Sequence, residues 1–308
     1  MKGQTEYMQG IELSKKCFFE DFLPRIREKM PEAEPYLAVG LVGAGSECFG
    51  FDDEISKDHD FSNGFYIWLT DETDIKYGVG LSRIYRECVT GVAVKSAALK
   101  HRGVITVDSF YMRYTGRRGL PESSLEWLLL PESALAEATN GEVFLDNVGA
   151  FTEMRNALLA GYPDNVFKKK LAARLIIMAQ SGQYNYKRCL SHGERGAARL
   201  ALSEFCTAAL SAIFLLNGKY MPYYKWSLRA ARLLERLLGQ VYNIEKLLLC
   251  ADESDCEALI EEICSAVAEN ITARGLSTAG GVFLEPHAYS VFDSISDREL
   301  RGLHIMEG

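Results

Sequence analysis

The sequence predicts an α+β protein in which a short mixed sheet is followed by a helical bundle. Three observations carry this expectation. The alternating apolar run from Tyr36 to Val42 reads as a buried strand, and Gly64–Leu69 and Gly103–Phe110 are aromatic and β-branched enough to supply further strands. From Pro121 onward Leu and Ala rise, strand-like alternation stops and amphipathic patterns take over. The composition shift divides the 308 residues into an N-terminal domain, 1–120, and a helical C-terminal domain, 121–308.

In chain order, Ile11, Phe18, Phe19, Phe22 and Ile26 recur at helical spacing within Gly10–Met30, with Pro24 as the point of a kink or division. Pro31 and Pro35 punctuate a turn, and the strand Tyr36–Val42 then leads into Gly45-Ser46. Residues 75–100 show no dominant period. Gly103–Phe110 is expected as a strand with Asp108 at or near its end. The helical half is expected at Ser133–Thr139, Val148–Ala160, Asp164–Ala179 reaching on through Gln183-Tyr184-Asn185, Glu194–Leu216, Trp226–Leu238, Glu253–Glu269 and Pro286–Ile295. Thr278-Ala279-Gly280-Gly281 reads as a loop.

Bulk properties exclude several classes. With 48% hydrophobic and 25% charged residues the chain has the composition of a soluble globular protein. A net charge of -8 argues against a broad nucleic-acid grip, which depends on neutralising phosphates. Eight cysteines without a Cys-x-x-Cys pair read as reduced, mostly buried thiols. The start of the chain lacks the apolar core of a signal peptide, and the apolar stretch Phe205–Leu216 is too short to span a bilayer, so a cytoplasmic protein with no membrane partner is expected. Lys168-Lys169-Lys170 and Arg117-Arg118 read as solvated faces.

The chemistry concentrates between Val42 and Phe61. Gly45 lets the backbone approach a phosphate, and Ser46 offers an N–H and a hydroxyl at the next turn. If Asp58-His59-Asp60 is extended, its two carboxylates share one face while His59 points away, giving hard oxygen donors suited to Mg²⁺. The competing arrangement is a solvated acidic turn, since Asp52, Asp53 and Glu54 are close by. A dinucleotide loop is not supported, because position 48 is Cys where the third glycine would fall, and no Gly-Lys-Ser/Thr occurs. In the helical half, Tyr223, Tyr224, Lys225 and Arg229 gather aromatics and cations near a helix start, fit to stack on a base and neutralise a triphosphate. The alternative is that Tyr223 and Trp226 pack while Lys225 and Arg229 reach solvent.

Ala44-Gly45-Ser46 followed by Asp58-x-Asp60 resembles the signature of the nucleotidyltransferase fold of the DNA polymerase beta superfamily. Gly50, Phe51, Asp52, Asp53, Glu54, Ser56 and His59 are similar to a bacterial branch whose nucleotidyltransferase-like domain carries a helical extension of undefined function. Gly182-Gln183-Tyr184-Asn185 and Asn217-x-x-Tyr220-x-Pro222-Tyr223-x-Lys225-Trp226 look like that extension. The resemblance implies transfer of a nucleoside monophosphate from an NTP to a hydroxyl. Asp58 and Asp60 would hold one or two Mg²⁺ ions, with Asp108 as third carboxylate or base. Gly45 and Ser46 would anchor the triphosphate, and Tyr224, Lys225 and Arg229 would assist on the nucleotide. It also favours a small-molecule acceptor. The rival expectations are a catalytically silent nucleotide-binding regulator, a toxin-like enzyme modifying RNA or protein, and a scaffold without ligand.

Overall fold

The computed structural model describes residues 8–54, 63–89 and 102–308. They group into two compact units, one comprising the chain up to Leu120 together with Ala134–Ala160, the other Pro121–Ser133 together with Gly161–Gly308.

The first unit opens with α1 (Gly10–Lys16), a π-helical stretch (Cys17–Phe22) and α2 (Leu23–Lys29). The irregularity of this helical run thus precedes Pro24, which sits in the first turn of α2 where its missing N–H costs nothing. A 3₁₀ turn (Pro31–Tyr36) shortens the expected strand to β1 (Ala38–Leu41), and another (Glu47–Phe49) follows the glycine bend. Next come β2 (Tyr66–Leu69), α3 (Asp71–Val89), β3 (Gly103–Thr106) and α4 (Val107–Thr115). The strand expected over Gly103–Phe110 therefore ends early: the Thr106 hydroxyl accepts the Ser109 N–H and caps α4, so Asp108 lies in a helix.

After α5 (Ser124–Leu129) and α6 (Glu132–Thr139), a strand that sequence patterning does not announce, β4 (Glu142–Asp146), joins the sheet, followed by α7 (Ala150–Leu159). The sheet order is β3-β2-β1-β4. β1 is antiparallel to β2 and β4, whereas β2 and β3 are parallel, as a crossover through α3 requires. The pairings Gly40↔Tyr66↔Gly103 and Ala38↔Trp68↔Ile105 fix the register. Gly40 lies where β1 slips against β4, and a Cβ there would stand 2.4 Å from the Glu142 carbonyl oxygen.

Both faces of β2 are buried, which explains its continuous aromatic and apolar run. Phe65, Ile67 and Leu69 pack with Phe18, Phe22, Leu81 and Ile84. Trp68 on the opposite face stacks on Phe151 with ring centroids 3.6 Å apart, Phe110 meets Trp68 edge-on, and Tyr111 stacks on Phe151.

The second unit continues with α8 (Asp164–Met178), a π-helical stretch (Ala179–Tyr186), α9 (Lys187–Ser191), α10 (Arg195–Leu216), α11 (Tyr224–Ala231), α12 (Leu238–Leu249), α13 (Glu253–Ala273), α14 (Leu284–Asp293) and α15 (Arg298–Gly302). The helix expected over Trp226–Leu238 is divided, with Leu237 at φ 60° between α11 and α12. Gly182 sits where a Cβ would stand 2.3 Å from the Phe205 ring, so only glycine lets the π-helical stretch lie this close to α10. α10 is long and apolar enough to cross a membrane, which corrects the expectation that its apolar part is too short; 67% of its most apolar window is buried inside the protein. Its partners are α8, the π-helical stretch, α9, α11 and α12. All eight cysteines are free, and burial pushes the thiols of Cys17, Cys48 and Cys206 up to about 12.

The lysine run departs from expectation. Lys168 pairs with Asp164 at 2.8 Å, but Lys169 is 0% and Lys170 3% exposed. α8 is covered around most of its circumference by α5, α10 and α14, so it has no wide solvent face on which to place three lysines. Lys169 Nζ donates to the His304 carbonyl at 2.6 Å and lies over the Phe292 ring. Burial lowers Lys170 from the usual 10.5 to about 8, an effect the Glu132 charge only partly opposes.

Replacing Trp68 with Ala is expected to cost about 3–5 kcal/mol of unfolding free energy, measured by urea denaturation, because the stacked aromatic group cannot collapse over the gap. For Lys170, the folded protein holds fewer protons than the unfolded chain between pH 8 and 10.5. The cost of burying the cation is fully present below pH 8 and is relieved as pH rises toward 10.5. The stability of the native protein relative to Lys170→Met should therefore rise between pH 8 and pH 10 when both are unfolded in urea.

Candidate functional site

The candidate site is built on the bend that leaves β1. Gly43 and Gly45 take φ values of 121° and 117°, a region L side chains rarely adopt. The Asn140 side chain clamps the bend from across the unit: Gly43 N–H donates to Asn140 Oδ1 and Asn140 Nδ2 donates to the Gly43 carbonyl, both at 2.8 Å. Cys48 N–H returns to the Gly45 carbonyl at 3.2 Å and Phe51 N–H to the Ser46 carbonyl at 2.8 Å, which closes the 3₁₀ turn. Ala44 is exposed, Gly45 and Ser46 are half-buried, and the Ser46 hydroxyl makes no capping bond.

Beneath the bend lies a charge pair that the sequence does not reveal. Glu47, 7% exposed, forms a salt bridge with Arg102, whose side chain is 3% exposed. Arg102 also donates to the Gly64 carbonyl at 3.2 Å, next to the entry into β2. The Glu47 carboxylate fills the space beside Gly45, where a Cβ would stand 2.6 Å from its oxygen. Asp52 is likewise buried and accepts the Gly10 N–H at 2.7 Å, tying α1 to the far side of the turn. Burial keeps Cys48 protonated, so it is no nucleophile at neutral pH.

The sheet register orders the other groups. Because β1 and β2 are antiparallel, the bend leaves β1 at the end of the sheet where the chain, resuming at Asn63, enters β2. Asp58 and Asp60, with His59, lie outside the described residues. Asp108 follows Thr106, which pairs with Leu69 at the opposite end of the sheet, so the register does not bring it to the bend. There it occupies the first turn of α4, where a negative charge is favoured by the helix dipole, and stands 3.9 Å from Arg118 Nη1, which also binds Asp71 at 2.9 Å. Tyr224, Lys225 and Arg229 belong to α11 in the second unit and are exposed, Tyr224 at 75%. Tyr224 lies 4.2 Å from Tyr223 between ring centroids, and Lys225 Nζ lies 4.8 Å over the Trp226 ring. Gln183 is a structural tie rather than a lining residue, bonded to Glu261, the Val282 carbonyl and the Leu284 N–H. Sequence reasoning did not find Glu47, Arg102 and Asn140; their partners are far away in the chain, and no local pattern announces the pairing.

A family described as a domain of unknown function (DUF4037) matches residues 127–227. No curated protein matches the chain. A crystal structure of a nucleotidyltransferase-like protein from Exiguobacterium sibiricum 255-15 aligns with a TM-score of 0.36 and 13% sequence identity, covering 81% of this chain and 76% of that one. The superposition is loose, and the functional reading rests on the residues of this chain.

Arg102→Met should destabilise the protein by about 3–5 kcal/mol by leaving Glu47 buried without its counter-charge. Glu47→Met/Arg102→Met should recover a large part of that loss, which a double-mutant cycle in urea would measure.

Proposed function

We propose that the protein is a Mg²⁺-dependent nucleotidyltransferase of the cytoplasm that moves a nucleoside monophosphate from an NTP to a hydroxyl of a small-molecule acceptor. The acceptor oxygen would bond to the α-phosphorus as the bond to pyrophosphate breaks, with the hydroxyl proton passing to a base or solvent. The observation that carries this reading is the shared sheet end: the Gly45-Ser46 bend leaves β1 where the chain enters β2, and Asp58-x-Asp60 falls between them in sequence.

In this reading the half-buried Gly45 and Ser46 present to the triphosphate backbone N–H groups and a hydroxyl that makes no capping bond. Arg102 neutralises Glu47, so the anion would not meet a bare carboxylate beside Gly45. Among the described residues no group of three His, Cys, Asp or Glu side chains is placed to hold a metal ion, so metal binding would depend on Asp58 and Asp60. Their oxygen donors suit Mg²⁺, which when bound would offset charge on the phosphates. The net charge of -8 supports a small acceptor over a polymer. The placement of Asp108 at the other sheet end favours a second reading, a nucleotide-binding regulator without turnover.

Thermal unfolding with each NTP, with and without Mg²⁺, tests the proposal. Native protein should gain about 5 °C at a hundredfold excess of the preferred NTP over its Kd, only with metal. Asp58→Ala/Asp60→Ala should lose that gain. Pyrophosphate release in an acceptor screen selects the enzyme over the regulator, and the absence of any NTP response in the native protein rejects both.

A further inference from the structure

The helical unit contains a cavity of about 370 Å³ that the nucleotidyl-transfer reading does not use, with Lys170, Arg174, Glu132, Ser133, Tyr223 and Tyr224 among its lining. Its size is within the range of small-molecule sites. Lys170 is its central feature. The residue is 3% exposed, and its ammonium has no hydrogen-bond or ion-pair partner among the described residues, resting only over the Tyr162 ring at 5.1 Å. A buried ammonium without a counter-ion is costly, and proteins retain one where a ligand or catalysis needs it.

The neighbouring charges do not discharge it. Glu132 Oε1 accepts from Ser211 at 2.8 Å and from Arg174 Nη2 at 3.3 Å, and Arg174 Nε donates to Ser211 at 2.8 Å. Arg174 thus answers Glu132 through Oε1, while Glu132 Oε2 has no hydrogen-bond partner among the described residues, and neither residue pairs with Lys170. Burial lowers Lys170 to about 8, with Glu132 opposing the shift and Arg174 adding to it. Glu132 and Ser133 begin α6, whose leading N–H groups have no acceptor within the helix and add to the attraction. Tyr223 and Tyr224, 50% and 75% exposed, offer two aromatic faces on the same lining.

We propose that this cavity binds a phosphate monoester bearing a planar ring, with the phosphate on Lys170 and the first turn of α6 and the ring on Tyr223 and Tyr224. An anion accounts for the unpartnered ammonium, and the helix start suits the several acceptor oxygens of a phosphate better than a single carboxylate. The exposed tyrosine pair accounts for the ring.

AMP and inorganic phosphate, titrated by calorimetry in EDTA, test the site apart from any metal-dependent nucleotide chemistry. AMP should bind the native protein and Asp58→Ala/Asp60→Ala equally. Lys170→Met should weaken AMP at least tenfold, and Tyr223→Ala/Tyr224→Ala, at exposed positions that do not threaten folding, should weaken AMP while leaving inorganic phosphate unchanged. A second measurement needs no variant: pyridoxal 5′-phosphate trapped with borohydride at pH 7.5 should label Lys170 ahead of the exposed lysines, with AMP protecting it, as read by peptide mass spectrometry. Failure of AMP to bind in EDTA, equal affinity in Lys170→Met, or labelling of Lys170 that AMP does not slow would each overturn the proposal.

Discussion

The organisation of the sheet unit depends on sequestering one ion pair. Glu47 and Arg102 are both withdrawn from water, and neither would remain buried without the other. Their pairing brings the turn after β1 and the residue preceding β3 to one end of the sheet, and the further bond from Arg102 to the Gly64 carbonyl draws in the approach to β2. Gly45 is then obligatory for a packing reason as well as a conformational one, because the Glu47 carboxylate occupies the volume a side chain would need. The small-residue bend that looks in sequence like a ligand loop is the lid of a buried charge pair. Ala44 nevertheless stays exposed, and Gly45 and Ser46 stay half-buried.

What could be read from the sequence follows from how local each determinant is. The long helices α8, α10 and α13 and strands β1 and β2 were legible because their apolar periodicity is carried by neighbouring residues. β3 was overextended, since Val104, Ile105 and Val107 are β-branched and only the capping bond from Thr106 to Ser109 reveals where the chain turns helical. α3 escaped notice because Gly78 and Gly80 lower its helix propensity, which packing through Tyr77, Leu81 and Ile84 overrides. β4 could not be found locally, as it is defined by the edge of β1 it pairs with. Of the candidate site, the bend was legible, the charge pair below it was not, and Asp108 was placed on the wrong kind of element because the strand ends at Thr106.

The helical unit shows the same division between pattern and context. A lysine triplet reads as a solvated face whenever the helix has such a face, but α8 runs among three other helices. Lys169 satisfies its ammonium on the carbonyls that follow α15 and acts as a structural cross-brace. Lys170, one position on, faces a cavity instead. Adjacent residues of one type thus perform different work because a helix turns about 100° per residue.

The interleaving of the two units bears on the order of events during synthesis. β1 cannot acquire its second neighbour until residue 146 has been translated, after α5 and α6 have both been synthesised. Until then the open flank of β1 presents unsatisfied backbone groups, the condition under which nascent chains are most exposed to wrong pairings and chaperone capture.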